Sequence, residues 1–217
     1  MRQLPLFPLF TVLFPGMVLP LHIFEARYRA MLKDCMSADR EFGVSLIKSG
    51  AEVGEPAVPF PVGTIARVLY TELNEEGGGD ITTVGTVIFR IHEITRQHPY
   101  LQADVELLET EAGDQVKVES LSREAMQELR TYLGFLTARM KGRGRSPNLE
   151  VGPEALSFIV AGTLQIDLSE KQGLLETLNT EERLRKGLHL LRRENQMLRQ
   201  FSLAKDPGRP GQSFSLN

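Results

Sequence analysis

The chain has 217 residues and a mass of 24.3 kDa, with 41% hydrophobic and 24% charged residues, which is typical of a soluble globular protein of one domain or two small ones. Its formal net charge of −3 argues against strong electrostatic binding of the whole molecule to nucleic acid or to an anionic membrane. Its single cysteine, Cys35, excludes an intramolecular disulfide and a cysteine-rich metal site, and because no targeting or transmembrane segment is visible, we expect a cytoplasmic protein.

The most apolar stretch of the chain is Leu4–Tyr28, LPLFPLFTVLFPGMVLPLHIFEARY, and it contains four prolines. Proline lacks a backbone donor and fixes φ, so this stretch forms neither a continuous helix nor a membrane span. Apolar residues on both alternating faces predict two buried strands, Leu4–Phe10 and Met17–Ile23, joined by a bend at Phe14-Pro15-Gly16. We expect both strands at the centre of a sheet, or between a sheet and helices.

The next residues predict one helix, Glu25–Ser37, and then a series of strands. One apolar stripe of this helix contains Phe24, Tyr28, Met31, Leu32 and Cys35, which favours a core role for the cysteine. The predicted strands are Glu41–Ile47, Thr64–Leu73, Ile81–Thr95 and Tyr100–Leu108, with a surface loop at Lys48–Val62, a hairpin turn at Asn74–Asp80 and a bulge at Gly85. Residues 1–115 therefore predict an antiparallel, β-rich lobe that carries one helix.

Beyond the polar connector Glu111–Lys117, the sequence predicts only helices. They are Ser120–Met140, Pro153–Leu164, a helix capped by Ser169 with Gln172 in a capping box, and a last helix capped by Asn179 that runs to about Leu203. The fold class is therefore α+β, with a β-rich lobe over residues 1–115 and a four-helix bundle over residues 116–205. Residues 206–217 are predicted to be a disordered tail.

No group of residues in the sequence has the pattern of a catalytic or metal site. The histidines are scattered, at His22, His92, His98 and His189, so a structural or solvated role is favoured over metal binding. The sequence contains no G-x-S-x-G nucleophile motif and no dinucleotide-binding fingerprint. We therefore expect a protein that is not an enzyme and that holds no metal and no cofactor.

Three surfaces are candidates for binding. The loop Lys141–Arg145 offers Lys141, Arg143 and Arg145 to phosphates, although an exposed linker explains these cations as well. The last helix has a basic face, and its apolar seam has the 4-3 spacing of a self-pairing helix, which predicts a possible homodimer. The basic residues are Arg183, Arg185, Lys186, Arg192, Arg193 and Arg199, and the seam is Leu184, Leu188, Leu191, Asn195 and Leu198.

The opening segment is the third candidate, because it has more aromatic residues than two strands normally need. Most of them are expected in the core, and the others are expected to line a groove that holds extended polypeptide. The candidate peptide-binding residues are Phe14, His22, Phe24, Arg27 and Tyr28.

The same opening segment carries a family resemblance. LPLFPLFTVLFPGMVLPLHIFEARYRAML resembles the start of the amino-terminal domain of Lon proteases, which is associated with substrate recognition. FPVGTIARVLY, VGTVIFRIHEI and LSFIVAGTLQIDLSEKQGLLETLNTEERL are similar to further parts of that domain, so the resemblance covers nearly the whole chain. It implies a β-rich pseudo-barrel, similar to the PUA-like folds of RNA-binding proteins, followed by a helical bundle.

The resemblance does not extend to the enzymatic modules of Lon. The chain has no G-x-x-x-x-G-K-[ST] phosphate loop, and it leaves no room for a protease domain, so we expect a stand-alone Lon domain without ATPase or protease activity. The predicted function is recognition of unfolded or degron-bearing polypeptide, as a binding or adaptor module. The alternative is RNA binding through the PUA-like barrel and the loop Lys141–Arg145.

Overall fold

The computed structural model describes residues 1–51, 57–139 and 150–204, and this part of the chain forms six β-strands and five α-helices. The β-rich part contains β1 (Arg2–Leu9), β2 (Val18–Ile23), α1 (Ala26–Met36), β3 (Glu41–Ser49), β4 (Val58–Leu73), β5 (Gly79–Arg96) and β6 (Leu101–Leu108). The helical part contains α2 (Gln115–Arg139), α3 (Pro153–Thr163), α4 (Leu168–Leu175) and α5 (Thr180–Ala204). The predicted α+β class is confirmed.

The six strands form one sheet in the order β2-β5-β4-β3-β1-β6, and β6 also pairs with β5. Five strands therefore close into a ring, while β2 pairs only with residues 79–84 of β5. The prediction of an entirely antiparallel sheet was wrong, because β1 runs parallel to β3, with Leu6 opposite Gly43. The intervening β2 and α1 supply the long crossover that a parallel pair requires. The PUA-like character of the ring remains a prediction.

The prediction that the opening strands lie at the centre of a sheet, or between a sheet and helices, was right for β1 and wrong for β2. β1 lies between β3 and β6 and is mostly buried, but β2 is the edge strand and has mostly exposed or half-buried side chains. Residues 68–73 of β4 and 79–84 of β5 continue past the ring and pair with each other, and β2 pairs with the other side of the β5 segment. We call these three paired segments the three-stranded ribbon.

The sheet has irregularities at its prolines and at one glycine. The predicted loop Lys48–Val62 was wrong at its end, because β4 begins at Val58 and includes Pro59 and Pro61. The β3–β4 register shifts at this point, and proline is tolerated in a sheet where the regular ladder is interrupted. The predicted bulge at Gly85 is confirmed by a register shift, and a Cβ there would lie 2.3 Å from the Phe14 carbonyl oxygen.

Helix α1 packs against β1 and β3 and against the inner face of the three-stranded ribbon. Its predicted apolar stripe is confirmed for Tyr28, Met31, Leu32 and Cys35, which are all buried. These side chains share a core cluster with residues of the ribbon, namely Ile23, Val68 and Ile81. Phe24 is 57% exposed, because it precedes the helix and lies outside its buried face.

The four helices after β6 pack on one another and on the ring. Their largest core cluster also contains Val12, Phe14, Val62 and Ile88 from the β-rich part. The connector is tied to the start of α5, because the Thr180 N–H donates to the Glu111 carbonyl oxygen at 2.7 Å. The β-rich and helical parts therefore share a core, although the division at residues 115 and 116 remains a prediction, as does the bundle arrangement of the helices.

The two predicted helix caps have different outcomes. Asn179 caps α5 as predicted, since its Oδ1 accepts a hydrogen bond from the Glu182 N–H at 3.0 Å. Ser169 was the wrong cap, because α4 begins at Leu168 and its N-cap is Asp167, two residues before Ser169. Gln172 is instead buried and its Nε2 donates to the Val62 carbonyl oxygen of β4 at 3.0 Å. Gln172 therefore links α4 to β4 instead of forming the predicted capping box with Ser169.

Two predicted segments lie outside the described residues: the basic loop Lys141–Arg145 and the tail 206–217. Within the described part of the chain, none of the helices has the length and apolar character needed to cross a membrane.

Candidate functional site

The outer face of the three-stranded ribbon exposes apolar side chains. The inner face is buried against α1, and side chains alternate between the two faces along each strand. Four large hydrophobic residues on or beside the outer face are more than half exposed: Val18 at 55%, Leu69 at 55%, Tyr70 at 61% and Phe24 at 57%. We call this surface, with Pro20, the ribbon face.

The strand register assembles the ribbon face from distant parts of the chain. Pro20 of β2 lies opposite Thr82 of β5, and Thr82 lies opposite Tyr70 of β4. The β4–β5 register shifts between Val68 and Tyr70, so Leu69 is an additional residue at this point. A bulge of this kind re-aims side chains, which explains how two neighbouring apolar residues of β4 are both exposed.

One end of the ribbon face is acidic. Asp80 lies opposite both His22 and Glu72 in the sheet, and His22 Nδ1 and Asp80 Oδ1 are 2.7 Å apart in a hydrogen bond. The His22 ring also stacks on Phe24, with ring centroids 6.3 Å apart and an interplanar angle of 22°. The surface therefore combines apolar side chains with negative charge at one end.

The free edge of β2 is less suited to binding than the ribbon face. Gly16, at φ 79°, donates its N–H to the Gly85 carbonyl oxygen at 2.8 Å. The Gly85 N–H in turn donates to the Met17 carbonyl oxygen at 2.9 Å. The backbone of Met17 therefore faces β5, and along β2 the residues whose backbone groups face β5 alternate with those whose groups face away. Pro20, three residues after Met17, is one of those that face away. Proline offers no donor to an added strand, so it blunts this edge.

The predicted peptide-binding residues occupy three different environments. His22 and Phe24 are exposed at the ribbon face, whereas Phe14 has 0% exposure and lies in the core, so it offers no surface to a peptide. Arg27 and Tyr28 line a separate pocket at the start of α1. Peptide binding by these residues remains a prediction.

Sequence reasoning missed Leu69 and Tyr70. The available signal was the run Val68-Leu69-Tyr70, which interrupts the alternation expected of a half-buried strand. Continuous apolar runs also occur in fully buried strands, so the sequence alone did not separate an exposed bulge from a core strand.

The basic face of the last helix is largely engaged within the chain. Arg185 pairs with Glu181, Arg192 pairs with Glu124 at 2.7 Å, and Arg193 forms a bidentate pair with Glu170. Arg183 was wrongly placed on this basic face, because it is fully buried. The structure gives the RNA-binding alternative no support from the described residues.

No reactive site is evident among the described residues. Burial raises the pKa of the Cys35 thiol to about 12, which agrees with its predicted role as a core residue and makes its thiolate scarce at neutral pH. Within residues 1–51, 57–139 and 150–204, no group of three His, Cys, Asp or Glu side chains has an arrangement that could hold a metal ion.

Comparison with known proteins gives a family match over most of the chain. The model of the substrate-binding domain of the ATP-dependent protease La (Lon) matches residues 3–193. Lon protease 2 of Myxococcus xanthus is 28% identical over 202 residues, and the Lon protease of Anaeromyxobacter dehalogenans is 28% identical over 200 residues. These alignments cover 91% and 90% of this chain but 24% of each relative, so the chain spans about a quarter of the length of the curated relatives it matches.

Two solved structures have the same fold. The Lon N-terminal domain protein from Xanthomonas campestris has a TM-score of 0.62 at 24% identity, over 87% of this chain and 98% of that one. The N-terminal domain of the Mycobacterium avium complex Lon protease has a TM-score of 0.65 at 21% identity, over 88% of this chain and 98% of that one. The family resemblance predicted from the sequence is confirmed.

Proposed function

The chain belongs to the Lon substrate-binding domain family, and we propose that it recognises unfolded or degron-bearing polypeptide through the ribbon face. The observation that carries this proposal is the group of four large hydrophobic side chains, each more than half exposed, on or beside the outer face of the ribbon. Contiguous exposed apolar surface is characteristic of interaction sites, and unfolded chains expose the apolar side chains that complement it.

The acidic end of the ribbon face suggests a preference among polypeptides. Glu72 and Asp80 lie side by side there, and opposite charge favours a segment that carries lysine or arginine beside its apolar residues. We therefore propose that extended segments with apolar and basic residues bind better than equally apolar acidic ones.

The proposed role is binding without catalysis. The 217 residues contain no G-x-x-x-x-G-K-[ST] phosphate loop, and the family match concerns a substrate-binding domain. We propose that this chain acts as a recognition or adaptor module without ATPase or protease activity of its own.

The experiment measures the affinity of a chemically unfolded, fluorescently labelled protein for this chain and for the double variant Val18→Ser/Tyr70→Ser. Burying one large apolar side chain contributes about 1.5–3 kcal/mol, so we expect the double variant to bind at least about tenfold more weakly. The matched control is Val87→Ser/Leu107→Ser, which removes two apolar residues that are 40% and 46% exposed elsewhere on the ring.

Two further measurements complete this test. Circular dichroism must show both double variants folded, and a lysine-flanked apolar peptide should bind more tightly than its glutamate-flanked counterpart at low salt. Equal affinity of all three proteins for the unfolded protein would exclude the ribbon face as the site. A folded chain that binds no unfolded protein at all would overturn the proposed function itself.

A further inference from the structure

The pocket that Arg27 and Tyr28 line contains none of the ribbon-face residues and opens where the first turn of α1 meets the turn between β5 and β6. Its volume is about 170 Å³. The residues that define its chemistry are Pro8, Arg27, Tyr28, His98, Tyr100 and Leu101. We call it the tyrosine pocket.

The two tyrosines give the pocket fixed walls. Tyr28 and Tyr100 are 6% and 2% exposed, and the Tyr28 ring packs on Phe7 with ring centroids 3.9 Å apart. The Tyr100 hydroxyl donates a hydrogen bond to Asp34 Oδ2 at 2.5 Å. A ligand that enters this pocket does not need to order its aromatic walls first, and such preorganisation lowers the cost of binding.

Positive charge lies over both tyrosine rings. The guanidinium carbon of Arg27 is 4.6 Å from the centroid of Tyr28, and that of Arg96 is 4.6 Å from the centroid of Tyr100. The Arg27 side chain is 23% exposed, so its charge is accessible to a ligand in the pocket but is screened less than a fully solvated charge. The exposed His98 adds a ring that can donate or accept a hydrogen bond.

The charge of Arg27 is already partly balanced. Glu25 accepts from its Nη2 at 3.0 Å, but a guanidinium has five donors in a planar fork and can serve two carboxylates together. With Glu25 close by, a dianion such as phosphate is disfavoured relative to a singly charged carboxylate. Pro8, Leu101 and the tyrosine rings suit an apolar body attached to that group.

We propose that the tyrosine pocket binds a carboxylate on a compact apolar body, with Arg27 as its anion-binding residue. The carboxylate belongs either to a small free acid or to the C-terminal residue of a polypeptide. The second source rests on the proposed recognition of polypeptide, whereas the first does not depend on it.

The test titrates the ¹⁵N-labelled full chain with N-acetylalanine and, separately, with N-acetylalanine amide, and follows backbone amide resonances by NMR. The acid is expected to shift the resonances of Tyr28, Tyr100 and Leu101, and the amide is expected to leave them unchanged. Arg27→Gln should weaken acid binding at least tenfold. The control Arg29→Gln removes a cation of the same helix that pairs with Glu76 at 3.1 Å and lies outside this pocket, so it should bind as the wild type does.

Arg27→Lys serves as a second variant in case Arg27→Gln loses its native spectrum, because it keeps the charge beside Glu25. It should still weaken binding, since an ammonium lacks the planar fork. Equal shifts with the amide, no shift with millimolar acid, or full affinity in a folded Arg27 variant would each overturn the proposal.

Peptides then identify the source of the carboxylate. Displacement of the acid by a peptide with a free C-terminus, but not by its amidated form, assigns the pocket to polypeptide ends. Binding of the small acid without displacement by either peptide assigns it to free acids. Loss of unfolded-protein binding in the ribbon-face variants is measured independently, so failure of the pocket and failure of the proposed function are distinguishable.

Discussion

Arg183 is a cation in the core of the helical part. Its guanidinium carbon lies 3.9 Å from the centroid of the Phe158 ring, and its Nε donates to Ser157 Oγ at 2.8 Å. Its other nitrogens donate to the Thr177 carbonyl oxygen and to Thr180 Oγ1. Burial lowers the pKa of Arg183 to about 10, which still leaves the side chain charged at neutral pH.

We expect Arg183→Met to lower the free energy of unfolding by about 2–4 kcal/mol. The substitution fits an apolar side chain against Phe158, but it leaves three buried acceptors without their donor, and an unsatisfied buried group costs about 1–3 kcal/mol. Urea denaturation measures the change. The control Arg185→Met removes an exposed ion pair with Glu181 on the same helix and should cost less than about 1 kcal/mol. Equal costs for both variants would contradict a structural role for the buried donors.

At the scale of a single element, α5 uses its apolar seam within the chain. Leu184, Leu188 and Leu191 are 1%, 3% and 0% exposed, so they are not available to a second copy. Asn195 is also buried, and its Nδ2 donates to the Glu128 carbonyl oxygen of α2 at 3.0 Å. The seam that predicted self-pairing therefore faces the chain's own helices.

We expect the chain not to dimerise through α5. Among the α5 side chains that the structure describes, the large apolar ones that remain exposed are Met197 at 40% and Phe201 at 68%, and these two offer too little apolar surface for a stable interface of the usual size. Sedimentation velocity over a hundredfold range of concentration should give one unchanged species. A dimer that disappears in Met197→Glu/Phe201→Glu, but persists in the exposed control Val116→Glu, would show that α5 does pair.

The elements that local patterns specify could be predicted, and those that depend on tertiary pairing could not. The stripe of α1 and the cap at Asn179 arise from residues within a few positions of each other, so the sequence predicts them directly. The start of β4 was missed because Pro59 and Pro61 usually interrupt strands, and only the β3–β4 register irregularity accommodates them.

The residues of the candidate site could likewise be predicted only in part, because strand pairing brings some of them together. His22 and Phe24 lie in the opening segment, whose unusual aromatic content drew attention to it. Tyr70 reaches the same surface only because β5 pairs with both β2 and β4, and no spacing in the sequence encodes that register. The tyrosine pocket likewise joins Arg27 to His98, which are brought together by α1 and the β5–β6 turn.

At the scale of the whole molecule, the β-rich and helical parts depend on each other. Phe14 has 0% exposure and packs near Phe158 of α3, with ring centroids 6.5 Å apart. Val62 supplies both a core side chain and the carbonyl oxygen that accepts from Gln172 of α4. Separating the two parts would expose these residues to water.

We therefore expect the chain to unfold in one cooperative transition. Calorimetry should give equal calorimetric and van't Hoff enthalpies, and Gln172→Ala should lower the midpoint of the whole transition, because it removes a buried donor to the Val62 carbonyl oxygen. The exposed control Gln127→Ala, on α2, should leave that midpoint nearly unchanged. Two resolved transitions, with Gln172→Ala shifting only one of them, would show instead that the parts fold independently and that their shared core adds little to the stability of either.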